Sequence, residues 1–340
     1  MVTPGGAQAR AERKPGRAQP QEKRAASTKV AVNIVTFNNV HDIAACLESL
    51  REQTFPDFQI HIFDNASSDD TLKIIESLDV NCVVRSSINT GFCKAHNELA
   101  KRFPSEYVLF LNPDTVLAPR FIQELVRGLD VRPDAASASG KLLRMDGKTI
   151  DSTGITMHRE QRHLDRGAGE PDTGQFDEPG DIFGPSGAAA LYRRSALEAA
   201  AFDGQYFDED FFAYREDADL AWRCRLFGWN SIYVPAAVAQ HRRRVTPERR
   251  SELPKVINYH SVKNRFLLRF NNITGDLYRR DFWQISKRDL AVIGYVLIRE
   301  WSSIPALWYV VKNVPRLLRK RRIIQKKRQL GSTEIEKWFL

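Results

Sequence analysis

Short apolar runs alternate with stretches of helical periodicity between Val30 and Leu111, and this alternation leaves few folds open to the chain. Strands joined by crossover helices give such a pattern, so it predicts an α/β fold with a mostly parallel sheet. Each run ends in polar residues or glycine, and open α/β sheets bind ligands beyond the carboxyl ends of their strands. The sequence therefore predicts a ligand pocket at that edge. The predicted strands are Val30 to Thr36, Gln59 to Phe63, Asn81 to Arg85 and Tyr107 to Leu111.

The length and composition of the chain allow it to bury a large hydrophobic core. The chain has 340 residues, of which 42% are hydrophobic, so it can form one large α/β domain or two smaller ones. No block of residues recurs, which argues against a solenoid or propeller. The four cysteines are scattered and indicate neither a zinc site nor a disulfide framework, which favours a cytoplasmic location.

Positive charge is concentrated at the two ends of the chain. Residues 1–29 carry a net charge of +5 and residues 312–328 carry +9, whereas residues 30–311 carry −4. Residues 1–29 contain no apolar segment of the secretory type, and we interpret them as a disordered basic leader. The basic C-terminal run is typical of segments that bind nucleic acid or anionic lipid, but a merely solvated tail has the same composition.

An apolar stretch from Ala291 to Val311 precedes that basic run. Arg299 and Glu300 lie near its middle and Pro305 interrupts it, which disfavours a transmembrane helix. A helix at the membrane interface, followed by basic residues that contact anionic headgroups, agrees better with the pattern. The remaining alternative is that these residues pack on the rest of the protein.

Acidic residues follow the predicted strands and open a later helix. Asp64 ends the second strand, Asp114 follows the fourth, and Glu216 with Asp217 begins a helical run. Any one of them could be a turn or cap residue, but their joint placement predicts a site. The polar stretch from about Met157 to Asp181 lacks periodicity and is predicted to be a mobile loop over this face.

Six motifs in order resemble glycosyltransferase family 2, and most closely its bacterial rhamnosyltransferase-like branch. The resemblance covers about Val30 to His241, and a weaker similarity to the same family extends from Tyr259 to Asn271. The motifs are Val35-Thr36-Phe37-Asn38, Phe63-Asp64-Asn65-Ala66-Ser67, Asn89-Thr90-Gly91-Phe92 with Asn97, Leu111-Asn112-Pro113-Asp114, Phe207-Asp208-Glu209, and Glu216-Asp217-Ala218-Asp219-Leu220 with Arg223.

The resemblance implies a GT-A fold, with a mixed, mostly parallel sheet flanked by helices. Residues 30–245 would form the catalytic domain, and residues 246–340 a helical, membrane-associating extension with a basic amphipathic tail. The expected activity is inverting transfer of a sugar from a nucleotide diphosphate donor to a hydroxyl of a cell-surface glycan or lipid-linked acceptor. dTDP-rhamnose is favoured over UDP-galactofuranose or UDP-glucose as donor. The enzyme would lie at the cytoplasmic face of an anionic membrane.

The same resemblance assigns roles to individual residues. A hard divalent cation, Mg²⁺ or Mn²⁺, offsets the charge of a departing diphosphate, and Asp114 is its expected ligand, with His241 as a second. Asn112 stands where the D-x-D pattern has its first acid, which leaves one carboxylate fewer for the metal. The expected nucleotide-sugar-binding residues are Thr36, Phe37, Asn38, Asp64, Asn65, Gly91, Phe92, Asn97, Asn112 and Gly187.

Catalysis is assigned to the Glu216-Asp217 pair. Inversion requires a base that removes the proton of the attacking hydroxyl, and Asp217 resembles the base of the family. Glu216 would orient Asp217 or contact the acceptor. Asp219 and Arg223 are spaced i, i+4 and are predicted to form a structural pair on the helix.

Other classes of protein agree less well with the sequence. A dehydrogenase or a sugar nucleotidyltransferase needs a glycine-rich turn after the first strand, and residues 36–41 contain no glycine. A nucleic-acid-binding protein could use the basic ends, but the central body is acidic, so no nucleic-acid partner is expected. A processive polysaccharide synthase would carry a Q-x-x-R-W element, which is absent from the sequence. The sequence leaves donor, acceptor and oligomeric state open.

Overall fold

The computed structural model describes residues 28–243 and 254–340. The predicted leader lies outside the described residues except for its last two positions, which belong to the first strand. The strands are β1 Thr28–Thr36, β2 Phe58–Asp64, β3 Cys82–Arg85, β4 Ser105–Leu111, β5 Thr115–Leu117, β6 Ala135–Leu143, β7 Ile150–Ser152, β8 Ile155–Met157, β9 His163–Asp165, β10 Gly180–Asp181, β11 Ala189–Arg193 and β12 Asn230–His241. The helices are α1 Ile43–Arg51, α2 Thr71–Glu76, α3 Phe92–Arg102, α4 Phe121–Asp130, α5 Arg194–Ala200, α6 Glu216–Leu226, α7 Lys255–Asn272, α8 Gly275–Arg280, α9 Phe282–Arg299, α10 Ile304–Lys312, α11 Val314–Lys326 and α12 Ser332–Glu336.

Ten strands form one mixed sheet, which confirms the predicted architecture. The strand order is β10-β12-β6-β11-β4-β1-β2-β3, with β5 paired to β12 and β7 to β6. Strands β4, β1, β2 and β3 are parallel, whereas β11 lies antiparallel between β4 and β6. The four strands predicted from the sequence are present, each within two residues of its expected ends.

Alternate residues of the central strand β4 face two separate apolar cores. Leu109 packs with α1, α2 and α4 on one face of the sheet. Phe110 packs on the other face with α3, α5, α6 and the C-terminal helices. This alternation follows from the two-residue period of a strand, and burial on both faces explains why β4 is a continuous run of large apolar and aromatic residues from Tyr107 to Leu111.

The C-terminal helices share a core with the rest of the protein. Trp222 of α6 is fully buried and lies in one apolar cluster with residues of α7 to α12. Phe339 contacts the rings of Trp222 and Phe183, at centroid distances of 5.1 and 6.1 Å. The backbone N–H of Leu340 donates to the carbonyl of Met157. The helices that follow residue 254 are therefore packed against the sheet domain along much of their length.

The segment from Met157 to Asp181 is more regular than the sequence indicates. Strands β8 and β9 form a small antiparallel pair, and β10 joins the edge of the main sheet beside β12. The expectation of a stretch without secondary structure is wrong here. Pairs of only two or three residues are too short to produce a periodic pattern, so the sequence gives no signal for them.

Candidate active site

The ends of β1 and β2 and the start of α3 are joined by buried polar side chains. The hydroxyl of Thr36 donates to Asp64 Oδ1 at 3.1 Å, and both side chains are buried. Asn65 Oδ1 accepts from the N–H of Thr90 at 2.8 Å, and its amide nitrogen donates to the carbonyl of Gly91 at 3.1 Å. These residues form the rigid floor of the predicted nucleotide pocket.

Phe37 and Asn38 lie at the rim of this floor. The Phe37 side chain is 48% exposed, which suits an aromatic ring that stacks on a base. Asn38 has a positive φ of 56°, which asparagine tolerates better than most residues, and its Oδ1 accepts from the N–H of Ser68 at 2.8 Å. The turn after β1 is thereby fixed against the turn after β2.

The contacts that the structure gives for Asn97 and Phe92 lie within the protein. Asn97 is buried, and its Oδ1 accepts from the N–H groups of Tyr206 and Phe207. Its amide nitrogen donates to the carbonyl of Phe207 and to Glu209, so its hydrogen-bonding capacity is used within the protein. Phe92 packs against His96 and Phe207 in an aromatic cluster. Both residues support the fold around the site.

The two predicted metal ligands lie side by side. Strand β5 begins directly after Asp114 and pairs antiparallel with the end of β12, which places His241 opposite Thr115. His241 Nε2 is 3.4 Å from Asp114 Oδ1. Asn112 is fixed nearby by its backbone N–H, which donates to the carbonyl of Ala188 at 2.8 Å.

A buried carboxylate holds the other nitrogen of His241. Asp151, on β7, is fully buried and lies 2.7 Å from His241 Nδ1. An Nδ1–H donated to Asp151 leaves Nε2 facing Asp114, the arrangement in which carboxylates orient metal-binding histidines. Burial opposes a positive charge on His241, but the hydrogen bonds that the ring donates to Asp114 and Asp151, together with their negative charges, outweigh it and raise the pKa of His241 to about 9.

Arg243 connects this pair to a third aspartate. Its guanidinium contacts Asp151 at 2.6 Å and Asp165 of β9 at 2.7 Å. Arg242, in contrast, points away and pairs with Asp42 at 3.0 Å. Arg244, the third arginine of the run, lies outside the described residues. Asp151, Asp165 and Arg243 were not assigned to the site from the sequence, because Asp151 and Asp165 lie in short strands that carry no recognisable motif.

Asp217 lies at the first turn of α6, facing the start of β11. Its Oδ2 accepts from the backbone N–H of Gly187 at 3.0 Å, and its Oδ1 accepts from the N–H of Ala218 at 2.7 Å. A Cβ on Gly187 would lie 3.3 Å from the Asp217 side chain, so the close approach favours glycine. Burial, and then the negative charge of Asp165, raise the pKa of Asp217.

The Glu216 side chain is more buried than that of Asp217. The side chain is 7% exposed, and Oε2 has no hydrogen-bond partner among the described residues. Burial, and then the negative charge of Asp217, raise the pKa of Glu216 to about 8. A carboxyl group that is protonated near neutral pH cannot serve as a base, so Asp217 is the better candidate of the two.

Helix α7 supports the loop that leads into Glu216 and Asp217. Phe212, Tyr214 and Arg215 all have positive φ, a conformation that non-glycine residues adopt only when their surroundings impose it. The Asn264 amide nitrogen lies within 2.9 Å of three carbonyl oxygens of this loop, those of Phe211, Ala213 and Tyr214. The weak sequence resemblance from Tyr259 to Asn271 was the available signal for this role.

Asp219 and Arg223 form the structural pair expected from their spacing. Arg223 Nε lies 2.9 Å from Asp219 Oδ2, and both side chains are fully buried. Asn271 and Asn272 of α7 donate to the other oxygen, Asp219 Oδ1. The pair therefore fixes α6 to the C-terminal helices and has no free oxygen facing the site.

The donor set is compatible with a divalent cation held jointly by protein and substrate. Within residues 28–243 and 254–340 no three His, Cys, Asp or Glu side chains are grouped as a metal site. Asp114 and His241 would supply two ligands, and metal sites of nucleotide-dependent enzymes commonly combine one or two carboxylates with substrate phosphates. These two residues fit that type of site.

Comparison with solved structures identifies the fold. The chain superimposes on the Staphylococcus aureus protein TarS, residues 1–349, in complex with UDP-GlcNAc, with a TM-score of 0.56 at 18% identity, over 87% of this chain and 88% of that one. A mannosyltransferase from Pyrobaculum calidifontis in complex with GDP-Man and Mn²⁺ gives a TM-score of 0.51 at 15% identity, over 92% and 87% of the two chains. The molecule thus has the GT-A fold.

Sequence comparison identifies the protein family. Residues 31–200 match glycosyl transferase family 2, and the chain belongs to this family. It is 28% identical over 240 residues to the N-acetylglucosaminyl-diphospho-decaprenol L-rhamnosyltransferase of Mycobacterium tuberculosis, covering 62% of this chain and 74% of that protein. It is 25% identical over 293 residues to a poly-beta-1,6-N-acetyl-D-glucosamine synthase of Staphylococcus epidermidis, covering 82% of this chain. The chain spans only 62% of the length of that synthase.

Proposed function

We propose that this glycosyltransferase transfers its sugar with inversion, with Asp217 as the general base. The observation that carries the proposal is the position of the Asp217 carboxylate. Two backbone N–H groups hold it at the start of α6, where it lies within electrostatic range of Asp165 and Arg243, and Arg243 in turn contacts Asp151, which holds the His241 ring. A base so placed can take the proton of an acceptor hydroxyl while the donor diphosphate lies over Asp114.

The ends of β1 and β2 would bind the nucleotide. Phe37 at the rim offers a stacking surface, and Asp64 in the floor offers carboxylate oxygens to ribose or base. Asp114 and His241 would hold Mg²⁺ or Mn²⁺, which when bound stabilises the negative charge of the leaving diphosphate. Asp151 fixes the His241 ring, and Arg243 balances the negative charge of Asp151 and Asp165.

We favour dTDP-rhamnose as the donor. The rhamnosyltransferase-like order of the six motifs and the similarity to the mycobacterial rhamnosyltransferase support this choice. UDP-galactofuranose and UDP-glucose remain alternatives from the sequence, and the similarity to TarS adds UDP-GlcNAc to the candidates.

A cluster of arginines beside the catalytic loop supports an acceptor that carries phosphate. Arg215 Nη1 lies 3.0 Å from His163 Nδ1. The buried Arg265 of α7 has no hydrogen-bond partner for Nη1 in the described part of the chain, and Arg288 of α9 has none there for Nε. Burial, and then the positive charges of Arg215 and Arg288, lower the pKa of Arg265 to about 9. The guanidinium groups of these three arginines are therefore close enough to repel one another. The diphosphate of a lipid-linked acceptor would neutralise it.

The decisive experiment screens the purified protein against dTDP-rhamnose, UDP-galactofuranose, UDP-glucose and UDP-GlcNAc, each with a sugar-diphospho-lipid acceptor. Release of the nucleoside diphosphate measures turnover, and NMR of the product gives its anomeric configuration. We expect inversion with one donor, loss of activity in EDTA and recovery with Mg²⁺ or Mn²⁺. Retention at the anomeric carbon, or full activity without metal, would contradict the mechanism.

The acceptor class has its own test. Replacing Arg265 with methionine should raise KM for the sugar-diphospho-lipid and leave KM for a simple alkyl glycoside acceptor unchanged. An equal effect on both acceptors would remove phosphate recognition from the proposal while leaving the transferase activity intact.

A further inference from the structure

Helix α9 exposes large apolar side chains along one face. Trp283, Leu290, Leu297 and Ile298 are 79%, 71%, 52% and 72% exposed, respectively. Leu290 and Leu297 lie seven and fourteen positions after Trp283, close to whole helical turns, and Ile298 follows Leu297, so the four side chains lie within about 100° of one another around the helix. Large apolar side chains at scattered surface positions are common, but a stripe along one helix marks a contact surface.

The stripe continues beyond α9. Trp301 is 70% exposed, and Ile304, Trp308 and Val311 are exposed along one side of α10. We call the eight residues the apolar face, and they are Trp283, Leu290, Leu297, Ile298, Trp301, Ile304, Trp308 and Val311. Tryptophan is the residue type that membrane interfaces favour, because its ring is apolar and its N–H is polar.

The opposite sides of the same helices are buried in the protein. Val296 of α9, and Ala306 and Val310 of α10, belong to the shared core, and α10 packs on α7. Among the described residues no single helix is long and apolar enough to cross a bilayer. Helix α9 and Trp301–Lys312 reach the length and apolar content of a span only when taken together, and a bend of 117° separates them. Helices fixed to the protein on one side present only the other side to a partner.

Every exposed charged side chain from Phe282 to Lys326 is basic. Of the two acids in this range, Asp289 pairs with Arg269, and Glu300 is buried. Residues 282–326 thus contribute no exposed carboxylate, and the exposed Asp203, from the segment before α6, lies 3.9 Å from Arg319. The exposed basic residues are Lys287, Arg299, Lys312, Arg316, Arg319, Arg322 and Lys326.

We propose that the apolar face docks the protein on an anionic bilayer, with its tryptophan rings in the headgroup boundary and the neighbouring basic side chains on lipid phosphates. The combination of an apolar stripe with exposed charge of one sign is what interfacial helices use. The proposal does not depend on the identity of the donor sugar.

Deleting the basic tail would be a poor test, because Leu317, Ile324 and Ile335 of that segment are fully buried. Point substitutions on the surface avoid this problem. The double variant Leu290→Asp/Ile298→Asp disrupts the apolar face, and Lys312→Glu/Arg322→Glu reverses exposed charge. Val131→Asp is the matched control, because Val131 is 70% exposed at the end of α4, outside the apolar face.

Binding is measured by co-sedimentation of the full chain with vesicles of phosphatidylcholine alone or mixed with phosphatidylglycerol. The intact protein and Val131→Asp should bind the anionic vesicles, and about 0.5 M salt should weaken binding. Each double variant should bind at least about tenfold more weakly, because each loses two favourable contacts with the bilayer. Brominated lipids should quench tryptophan fluorescence of the intact protein.

Two results would overturn the proposal. Leu290→Asp/Ile298→Asp could bind the vesicles as tightly as the intact protein. Alternatively, light scattering could show a dimer that the same variant dissociates, in which case a second copy of the chain covers the face. Circular dichroism and nucleotide binding, measured on each variant, separate these results from a failure to fold.

Discussion

Asp217 and Glu216 are adjacent in the sequence, yet their carboxyl groups have different surroundings. Asp217 accepts hydrogen bonds from Gly187 and Ala218, whereas Glu216 Oε2 has no hydrogen-bond partner in the described part of the chain. Hydrogen bonds from N–H groups stabilise a carboxylate, and burial without them stabilises the neutral acid. The N–H groups of Gly187 and Ala218 thus oppose the increase in pKa that burial causes at Asp217, whereas burial raises the pKa of Glu216 to about 8.

The first prediction concerns Asp217→Asn. The amide keeps the shape of the side chain but cannot accept a proton at neutral pH, and general-base assistance typically contributes about 10² to 10⁴ in rate. We expect kcat to fall by that order while nucleotide affinity, measured by calorimetry on the same preparation, stays within about twofold. Near-normal turnover would move the role of base to another residue.

A second prediction uses the raised pKa of Glu216. Between its ordinary pKa of 4.5 and its pKa of about 8 in the protein, the folded state holds a proton that the unfolded chain has lost, so stability falls as pH rises. Glu216→Gln removes this dependence. Its stability relative to the intact protein should therefore increase from about pH 5 to about pH 9, by about 1.4 kcal/mol for each unit of pKa difference.

Thermal unfolding of both proteins across that range measures the effect. An increase in relative stability on going to lower pH would show that Glu216 is not held neutral by burial.

At the scale of elements, the catalytic loop depends on helices outside the sheet. The loop from Glu209 to Arg215 is bound to α7 through Asn264 and Lys263, and to α11 through Lys320, which pairs with both Asp208 and Asp210. Three positive φ values in seven residues are maintained by these contacts. The C-terminal helices therefore position the base as well as completing the core.

A third prediction tests this support through Asn264→Ala. Losing the amide frees three loop carbonyls, so we expect kcat to fall about tenfold or more, because small misplacements of a catalytic group are costly. Donor KM should change little, since Asn264 contacts none of the nucleotide-binding residues proposed here. Asn313→Ala is the control, because Asn313 donates to the Tyr309 carbonyl at the end of α10.

If Asn264→Ala and Asn313→Ala lower the melting temperature equally and neither changes kcat, the amide of Asn264 has a purely structural role.

The elements differ in how well their sequence predicts them. The strands around Val32 and Leu109 are long apolar runs between polar turns, and both were predictable because burial on two faces leaves a strong pattern. Strands β7 and β9 have three residues each, too few for a recognisable pattern, and the side chains that Asp151 and Asp165 contact lie far along the chain. Asp151 and Asp165 were missed for this reason, since only tertiary pairing brings them to His241 and Arg243.

Asn97 illustrates what a motif leaves open. Its place in a family-like motif predicts a ligand contact, and in the structure its amide bonds to the backbone of Tyr206 and Phe207. A motif reports that a residue type is required at a position, and it does not distinguish structural from ligand-binding requirements.

At the scale of the whole molecule, buried contacts join the sheet domain to the C-terminal helices, so the unfolding of one is coupled to the unfolding of the other. Asp219 and Arg223 of α6 bind Asn271 and the Ala200 carbonyl in the interior, and Arg225 stacks 3.8 Å from the ring centroid of Trp338. Contacts of this kind, together with the shared apolar core, make independent unfolding of the helices unfavourable. The apolar face therefore lies on a rigid platform that also carries the supports of the catalytic loop.

The last prediction measures that connection with Phe339→Ala. Phe339 is 7% exposed and lies against Trp222 and Phe183, so its removal leaves a cavity between the last residues of the chain and the sheet domain. Replacing a buried phenylalanine with alanine typically costs about 3 to 5 kcal/mol. Val131→Ala, at a 70% exposed position, should change stability by less than about 0.5 kcal/mol.

Urea unfolding followed separately by circular dichroism and by tryptophan fluorescence gives both the free energy of unfolding of Phe339→Ala and the cooperativity of its transition. If the sheet domain and the helices unfold as one unit, the two signals shift together in Phe339→Ala. A fluorescence transition that moves while the main circular dichroism transition stays fixed would instead mean that the C-terminal helices unfold independently.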